Sequence, residues 1–278
     1  GITLGKKYNY IWFVNNFYDK NIFYQYDYHN DKLTMYGPTF TNEDGNTITP
    51  NYVHCTAEDR YGNIWIGTTS GPLYITVSEI KNESKIFTQH KVPRNDGTNY
   101  ADYLLANSNI RSIAIDGANQ KWMGTDNGVY LISDDCNTQI YHFNTENSPL
   151  ISNIIHSIAI NNNTGKVYFA TDKGLCSFNN GIISPNAEMT KDNIYAYPNP
   201  VKPNYTGKIN IVGLSFNADI KIVSTNGTLI NEGKSAGGSY IWDGCDLNGK
   251  KVASGIYMVE TATESGEKGI VCKIAIIR

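Results

Sequence analysis

Three stretches of the chain repeat one alternation of apolar strand and polar turn: Ala57–Ile75 (AEDRYGNIWIGTTSGPLYI), Ile113–Ile132 (IAIDGANQKWMGTDNGVYLI) and Ile158–Phe178 (IAINNNTGKVYFATDKGLCSF). Each reads as an apolar strand, a tight polar turn, a strand carrying an aromatic, Gly/Ala-Thr, a short glycine turn and a third apolar strand. The glycine before the threonine falls at Gly67 and Gly124, 57 apart (124 − 67), and Ala170 takes its place 46 further on (170 − 124). The aromatic moves in step, at Trp65, Trp122 and Tyr168. An uneven period of roughly 45–55 residues with three or four short strands per unit predicts propeller blades. Tyr61-Gly62-Asn63, Gly117-Ala118-Asn119 and Asn162-Asn163-Thr164-Gly165 supply the first turn of each unit, and Gly71, Gly128 and Gly174 the second, where positive φ is favoured. Residues 8–36 add three aromatic-rich strands, with Trp12 standing 53 before Trp65 (65 − 12), and predict a diverged blade.

After residue 182 the style changes. A linker spans 183–194, and 195–278 runs as short strands such as Lys208–Val212 and Asp219–Val223, alternating with one buried face. The expected fold is all-β: about four blades over 1–182, then a small Ig-like sandwich of six or seven strands over 195–278. Four blades lie at the lower limit for a closed ring. A partial ring with further blades upstream is the favoured alternative, and its raw sheet edges would need covering.

Composition supports this picture: tyrosine is frequent (20), charged residues make up only 18%, and no window carries a helical apolar period. The net charge of −3, without a basic stripe, gives no electrostatic case for nucleic acid. No run of about 18 apolar residues exists to span a membrane. GITLGKKYNY has no signal-peptide core, and an opening as if mid-protein fits an N-terminally truncated chain. Cys55, Cys136, Cys176, Cys245 and Cys272 form no C-x-x-C; a Cys245–Cys272 bridge is one option and free thiols the other.

No catalytic, cofactor or metal set emerges. None of the five histidines is paired as H-x-x-x-H or H-x-H. His54 and His156 open the first strand of their blades and are the candidate ligand contacts. The pairs Asp134–Asp135 and Glu58–Asp59 and the turn Asn161–Asn163 lack the spacing of a calcium loop; Asp59 and Asp116 read as turn residues. Trp65 and Trp122 read as inter-blade core. The dense set from Tyr8 to Tyr28, with Phe17 and Tyr18 inside it, fits either a contact surface or an edge blade packed on a neighbour.

Asp59, Gly62, Asn63, Trp65, Gly67, Thr68 and Gly71 resemble the two-component regulator propeller repeat, known from sensor ectodomains and secretion-associated proteins of Bacteroidetes. The second copy keeps Asp116, Trp122, Gly124, Thr125 and Gly128, with Asn119 and Gln120 where Gly-Asn belongs. The tail's YPNPVKP (197–203), Gly227–Leu229, the Trp242–Tyr257 segment and the closing strand resemble the type IX secretion C-terminal sorting domain. Its motif positions are Gly255, Tyr257, Met258, Lys273 and Arg278, with Ala253 where a proline is common. The two together resemble the PorZ family. That resemblance implies a non-enzymatic envelope component of the type IX machinery, exported to the periplasm or outer surface of a Gram-negative cell and lacking a cofactor. Its implied partners are the sortase, the outer-membrane shuttle protein and anionic lipopolysaccharide or another glycan. The alternatives are the oligosaccharide-sensing propeller of a hybrid two-component system, or a secreted enzyme whose catalytic part lies upstream.

Overall fold

The computed structural model describes residues 1–15, 21–94, 96–98, 100–267 and 272–278. Phe17 and Tyr18 of the aromatic set, and the residues 268–271 that lead into the last strand, lie outside these. The chain divides into two compact units: Gly1–Ile115, Asn119–Ile160 and Val167–Phe178 form the first, and Asp116–Ala118, Asn161–Lys166 and Asn179–Arg278 the second.

The first unit is built on four antiparallel meanders. The first has strands Ile2–Leu4, Tyr10–Val14, Phe23–Asp27 and Lys32–Tyr36; the second has Val53–Glu58, Ile64–Thr68 and Gly71–Ile75. The third has Ser112–Ile115, Lys121–Thr125, Gly128–Ile132 and Gln139–Phe143, and the fourth Ile155–Asn161, Lys166–Thr171 and Gly174–Asn179. No described sheet closes on itself. Gly71, Gly128 and Gly174 all turn with φ above +100° (101°, 105° and 129°), the conformation for which the sequence holds glycine there.

Between these sheets lie three apolar cores, each shared by consecutive blades. Trp12, Phe23 and Tyr36 of the first blade meet Val53, Ile64, Ile66 and Leu73 of the second. Trp65 of the second meets Ile113, Met123 and Ile132 of the third, and Trp122 of the third meets Ile155, Val167 and Phe169 of the fourth. Every repeated tryptophan therefore faces the following blade, and all three are at most 3% exposed, as expected for core.

The repeat glycine has a steric cause. A Cβ at Gly67 would come 2.5 Å from Cys55 Sγ and 2.7 Å from the Ile110 carbonyl oxygen, and one at Gly124 2.6 Å from Ile155 Cγ2. Only a bare α-carbon lets Cys55 and the segment entering the third blade approach Gly67, and the fourth blade's first strand approach Gly124, this closely.

Segments between the blades depart from the simple repeat. Val77–Lys81 forms a one-turn helix set by a capping box: Glu79 N–H donates to Thr76 Oγ1 and Thr76 N–H to Glu79 Oε2. Ile86–Phe87 pairs in parallel with Phe40–Asn42, and Lys91–Pro93 with Ala101–Tyr103 makes a separate hairpin.

The second unit holds an Ig-like pair of sheets. One has Tyr195–Tyr197, Ile209–Val212 and Ser239–Trp242; the other, in spatial order, has Leu229–Lys234, Asp219–Ser224, Gly255–Ala262 and Cys272–Ile276. Ile211, Ile220, Ile222, Trp242, Val259 and Ile274 fill the space between them at 1% exposure or less. All five cysteines are free, so Cys245 and Cys272 stand unbridged.

Gly67→Ala is expected to destabilise the first unit by about 1–3 kcal/mol through overpacking against the Ile110 carbonyl. Gly255→Ala, where the nearest atom would lie at 3.8 Å, should change stability by less than about 0.5 kcal/mol. Urea titration of both variants against wild type measures the difference.

Candidate functional site

The polar positions of the repeat converge at the first turns of the blades. Asp59, 6% exposed, accepts hydrogen bonds from Tyr61 N–H (2.9 Å), Asn63 N–H (2.9 Å), Asn63 Nδ2 (3.0 Å) and Trp65 Nε1 (3.1 Å). Asp116 accepts from Ala118 N–H at 3.0 Å, so both aspartates are turn residues. Asn119 occupies the left-handed region (φ 61°), is fully buried, and accepts from the Arg60 amide at 2.7 Å. Its Nδ2 donates to Asp134 Oδ1 at 2.6 Å, while Tyr61 Oη donates to Asp134 Oδ2 at 2.8 Å.

Beside them Lys121, 1% exposed, donates to the Asp134 carbonyl at 2.6 Å, lies 3.5 Å from Asp134 Oδ1, and sits 5.5 Å from the centre of the Trp65 ring. An ammonium already balances this carboxylate. Glu58 receives the amides of Lys6 and Lys7 at 2.6 and 3.0 Å, and Asp135 receives Asn137 N–H at 3.1 Å. The candidate calcium carboxylates thus have protein donors, and no group of three or more metal-competent side chains occurs among the described residues.

His54 stands second in Val53–Glu58 and His156 second in Ile155–Asn161. No hydrogen bond or ring contact joins them among the described residues, and their surroundings differ. His156 is exposed. His54 is half-buried, its ring parallel to Tyr52 at 5.7 Å, with Nε2 2.8 Å from Asn109 Oδ1. Asn109 Nδ2 donates to Asp126 Oδ2 at 2.7 Å, and Arg111 Nε donates to the other Asp126 oxygen.

Burial pulls the His54 pKa below 6.5, with Arg111 adding to the fall while the Asn109 bond and Asp126 oppose it. Burial alone would raise Asp126, but the Arg111 and Asn109 bonds outweigh it and hold the carboxyl below its usual range. Desolvation pushes the neighbouring Cys55 thiol up to about 12, which removes it as a nucleophile. His54, Asn109, Asp126 and Arg111 thus form one polar network in which each is a partner of the next. Asn109, Arg111 and Asp126 carry no motif of their own; the only sequence signal is that Asp126 recurs as Asp172 in the same turn of the fourth blade.

In the tail, the sorting-like motif lies on two paired strands. Gly255 stands opposite Ile276, Tyr257 opposite Ile274, and Met258 opposite Lys273. Tyr257 is 7% exposed, packs edge-on against Trp242 at 5.8 Å, and donates its hydroxyl to the Ala253 carbonyl at 3.0 Å. Arg278 N–H donates to Ser254 Oγ at 2.8 Å and Arg278 Nε to the Val252 carbonyl at 3.3 Å. The YPNPV segment borders the last strand: Asn199 Nδ2 donates to the Lys273 carbonyl (2.8 Å) and Asn199 Oδ1 accepts the Ala275 amide (3.0 Å). Val201 N–H donates to the Ala275 carbonyl at 2.8 Å, and Ile277 N–H to the Val201 carbonyl at 2.9 Å.

Two families match the chain: the two component regulator propeller at residues 47–70 and the secretion system C-terminal sorting domain at residues 195–276. Among solved structures, PorZ of Porphyromonas gingivalis, described as an essential bacterial surface component of the type IX secretion system, aligns over 100% of this chain with 27% identity and a TM-score of 0.62. The chain is PorZ-like, with a propeller and a C-terminal sorting domain. It spans 38% of the PorZ chain. The extracellular domain of a putative hybrid two-component system from B. thetaiotaomicron aligns over 99% of this chain and 50% of its own, at 15% identity and a TM-score of 0.45. No match was found among curated proteins.

The first blade of this PorZ-like chain presents an apolar sheet face. The register sets Ile2, Phe13, Tyr24 and Met35 in one row and Leu4, Ile11, Tyr26 and Leu33 in the next. Ile2, Leu4, Leu33 and Met35 are exposed, and the central four are half-buried. The aromatic set of the N-terminal strands is thereby divided: Trp12 and Phe23 look toward the second blade, and Phe13, Tyr24 and Tyr26 the other way.

Two measurements test this geometry. The His54 side chain should titrate below 6.5 in an NMR pH series. Because its folded pKa is depressed, its contribution to stability is complete above about 6.5 and is lost as pH falls from there through the folded value. His54→Gln should therefore flatten the stability–pH slope just below 6.5. Separately, Asn199→Ala should accelerate hydrogen exchange at the Ala275 amide, whose bond is to Asn199, while exchange at the Tyr257 amide stays unchanged.

Proposed function

We propose that this chain is a non-enzymatic, exported component of the type IX secretion machinery, a scaffold or glycolipid-binding part that works at the periplasmic or outer face of the outer membrane. The observation that carries this reading is the pairing of propeller repeats with a sorting domain in one chain, which over all of its own length is similar to 38% of the PorZ chain. The blades give a stiff platform, since each buries its tryptophan against the next. The tail serves as a docking module that stays part of the protein; Ala253, in place of the proline common there, fits retention. The partners are the sortase and the outer-membrane shuttle protein, and the ligand is anionic lipopolysaccharide or a related glycan. The polar network around His54, Asn109, Arg111 and Asp126 suits binding rather than bond cleavage, which supports the non-enzymatic assignment. No helix among the described residues is long and apolar enough to cross a membrane.

Deletion of the gene in its native host, followed by fractionation of proteins that bear C-terminal sorting domains, tests the reading. The expected result is accumulation of uncleaved, unattached cargo in the periplasm or medium. Normal cargo processing with a growth defect confined to a particular glycan would overturn it and leave an oligosaccharide sensor in its place.

A further inference from the structure

A cavity of about 220 Å³ opens in the second unit between the segment around Tyr205–Ile209, the turn at Asp243–Cys245 and the chain's last residue. Its walls carry three cations, Lys208, Lys251 and Arg278, and one carboxylate, Asp243, a local side-chain balance of +2 (3 − 1) in a chain whose net charge is −3. Among the described residues the ion pairs lie elsewhere, and none uses these three cations. Asp243 turns one oxygen to the Cys245 amide at 2.9 Å. Partial desolvation and then Asp243 raise the Cys245 thiol, while Lys251 and Lys208 pull it the other way, so both ammonium groups bear on the same spot.

Two of the pocket's side chains, Arg278 and Tyr205, are held in place. Arg278 is fixed by its bonds to Ser254 Oγ and the Val252 carbonyl, which engage its backbone amide and Nε. Its terminal Nη2 lies 3.4 Å from where a Cβ on Gly244 would be. The Tyr205 ring is pinned by its hydroxyl, which donates to the Lys208 carbonyl at 2.7 Å, and it lies where a side chain on Gly207 would collide with it. Three cations outside any ion pair, one of them anchored, raise the local affinity for an anion, and a guanidinium held through Nε suits a phosphate or carboxylate fork. The volume exceeds that of several waters, at about 30 Å³ each, yet falls below the roughly 300 Å³ at which pockets begin to enclose a whole drug-sized ligand. It fits a charged head and part of one ring, with an aromatic wall for that ring.

We infer that this cavity binds the phosphate group of a phosphorylated sugar, with Lys208, Lys251 and Arg278 on the anion and Tyr205 against the sugar. The glycolipid reading above is needed only for the source of such a sugar; the pocket stands on its own chemistry. The test titrates the ¹⁵N-labelled full chain with inorganic phosphate, glucose 1-phosphate and glucose at constant ionic strength. Saturable shifts at the Gly207, Gly244 and Cys245 amides are expected for both phosphates, with glucose 1-phosphate several-fold tighter than inorganic phosphate and no response to glucose. Lys208→Gln with Lys251→Gln should weaken glucose 1-phosphate by about tenfold or more, and Arg278→Gln by a similar factor. These side chains are exposed, and an unchanged remainder of the spectrum will show that the fold is kept. Absence of saturation, or shifts that survive the double substitution, would overturn the pocket. Equal affinity for the two phosphates would overturn the sugar assignment. Cargo misprocessing on gene deletion with no phosphate binding removes the pocket alone, whereas binding with normal cargo removes the secretion reading alone.

Discussion

A propeller blade is one sheet thick, and a single sheet with apolar residues on both faces has no interior. An apolar face of a blade is therefore buried only against a neighbour, and the closeness of that contact decides whether the bulky aromatic at the centre of the strand can be enclosed. Here the approach is set by the glycine two residues after the tryptophan. At Gly67 and Gly124 the next blade comes to within 3 Å of where a Cβ would stand. Trp65 and Trp122 consequently reach 3% and 0% exposure, burial worth a few kcal/mol each at about 25 cal/mol per Å². The glycine and the tryptophan recur together because one makes room for the other.

The same closeness forces a solution for the polar groups at the blade ends. Sealing Asp59, Asn119 and Lys121 from water would cost several kcal/mol if they went unpaired. The structure pairs Asp59 and Lys121 within their own blades and Asn119 across blades: the Arg60 amide of the second blade's turn donates to Asn119 of the third, and beside it the Tyr61 hydroxyl donates to Asp134. Lys121 completes the set, over the face of Trp65 and bonded to the Asp134 carbonyl. The first turn of the second blade is thus a polar clasp on the third, at the end of the sheet opposite the glycine turn. Removing the Asp134 carboxylate would strip Asn119 Nδ2 of its acceptor and Lys121 of its countercharge, both of them buried, which makes this member costlier to lose than its net contribution to stability would indicate.

These relations were unequally visible in the amino-acid sequence. The blades, their turns and the buried tryptophans repeat within the chain, so their period alone exposes them. Asn119 in the left-handed conformation was readable because asparagine is the common substitute for glycine there. The helix at Val77–Lys81 was not, because five residues are too few to show a period, although its capping box stands in the sequence as Thr76 and Glu79. The network at His54 was half visible. The histidine marks a repeated position, but Asn109, 55 residues away, and Asp126 reach it only through the register between the second and third blades. The cationic pocket was invisible for the same reason: Lys208, Lys251 and Arg278 come from three segments that share no local pattern.

The tail shows how a short motif can serve a structural end. The last strand, Cys272–Ile276, lies at the edge of its sheet, where unpaired amides and carbonyls invite pairing with other chains. The YPNPV segment answers that edge group by group. Asn199 takes both the Lys273 carbonyl and the Ala275 amide through one side chain, and Val201 takes the Ala275 carbonyl and the Ile277 amide through its backbone. Proline at 198 and 200 has no amide to offer and leaves none to satisfy. Along this stretch the edge is occupied from within, so an approaching chain meets side chains, Lys273 and Arg278 among them, before it meets a free strand. In this fold the YPNPV segment is the means by which the last strand is kept from pairing with the wrong neighbour.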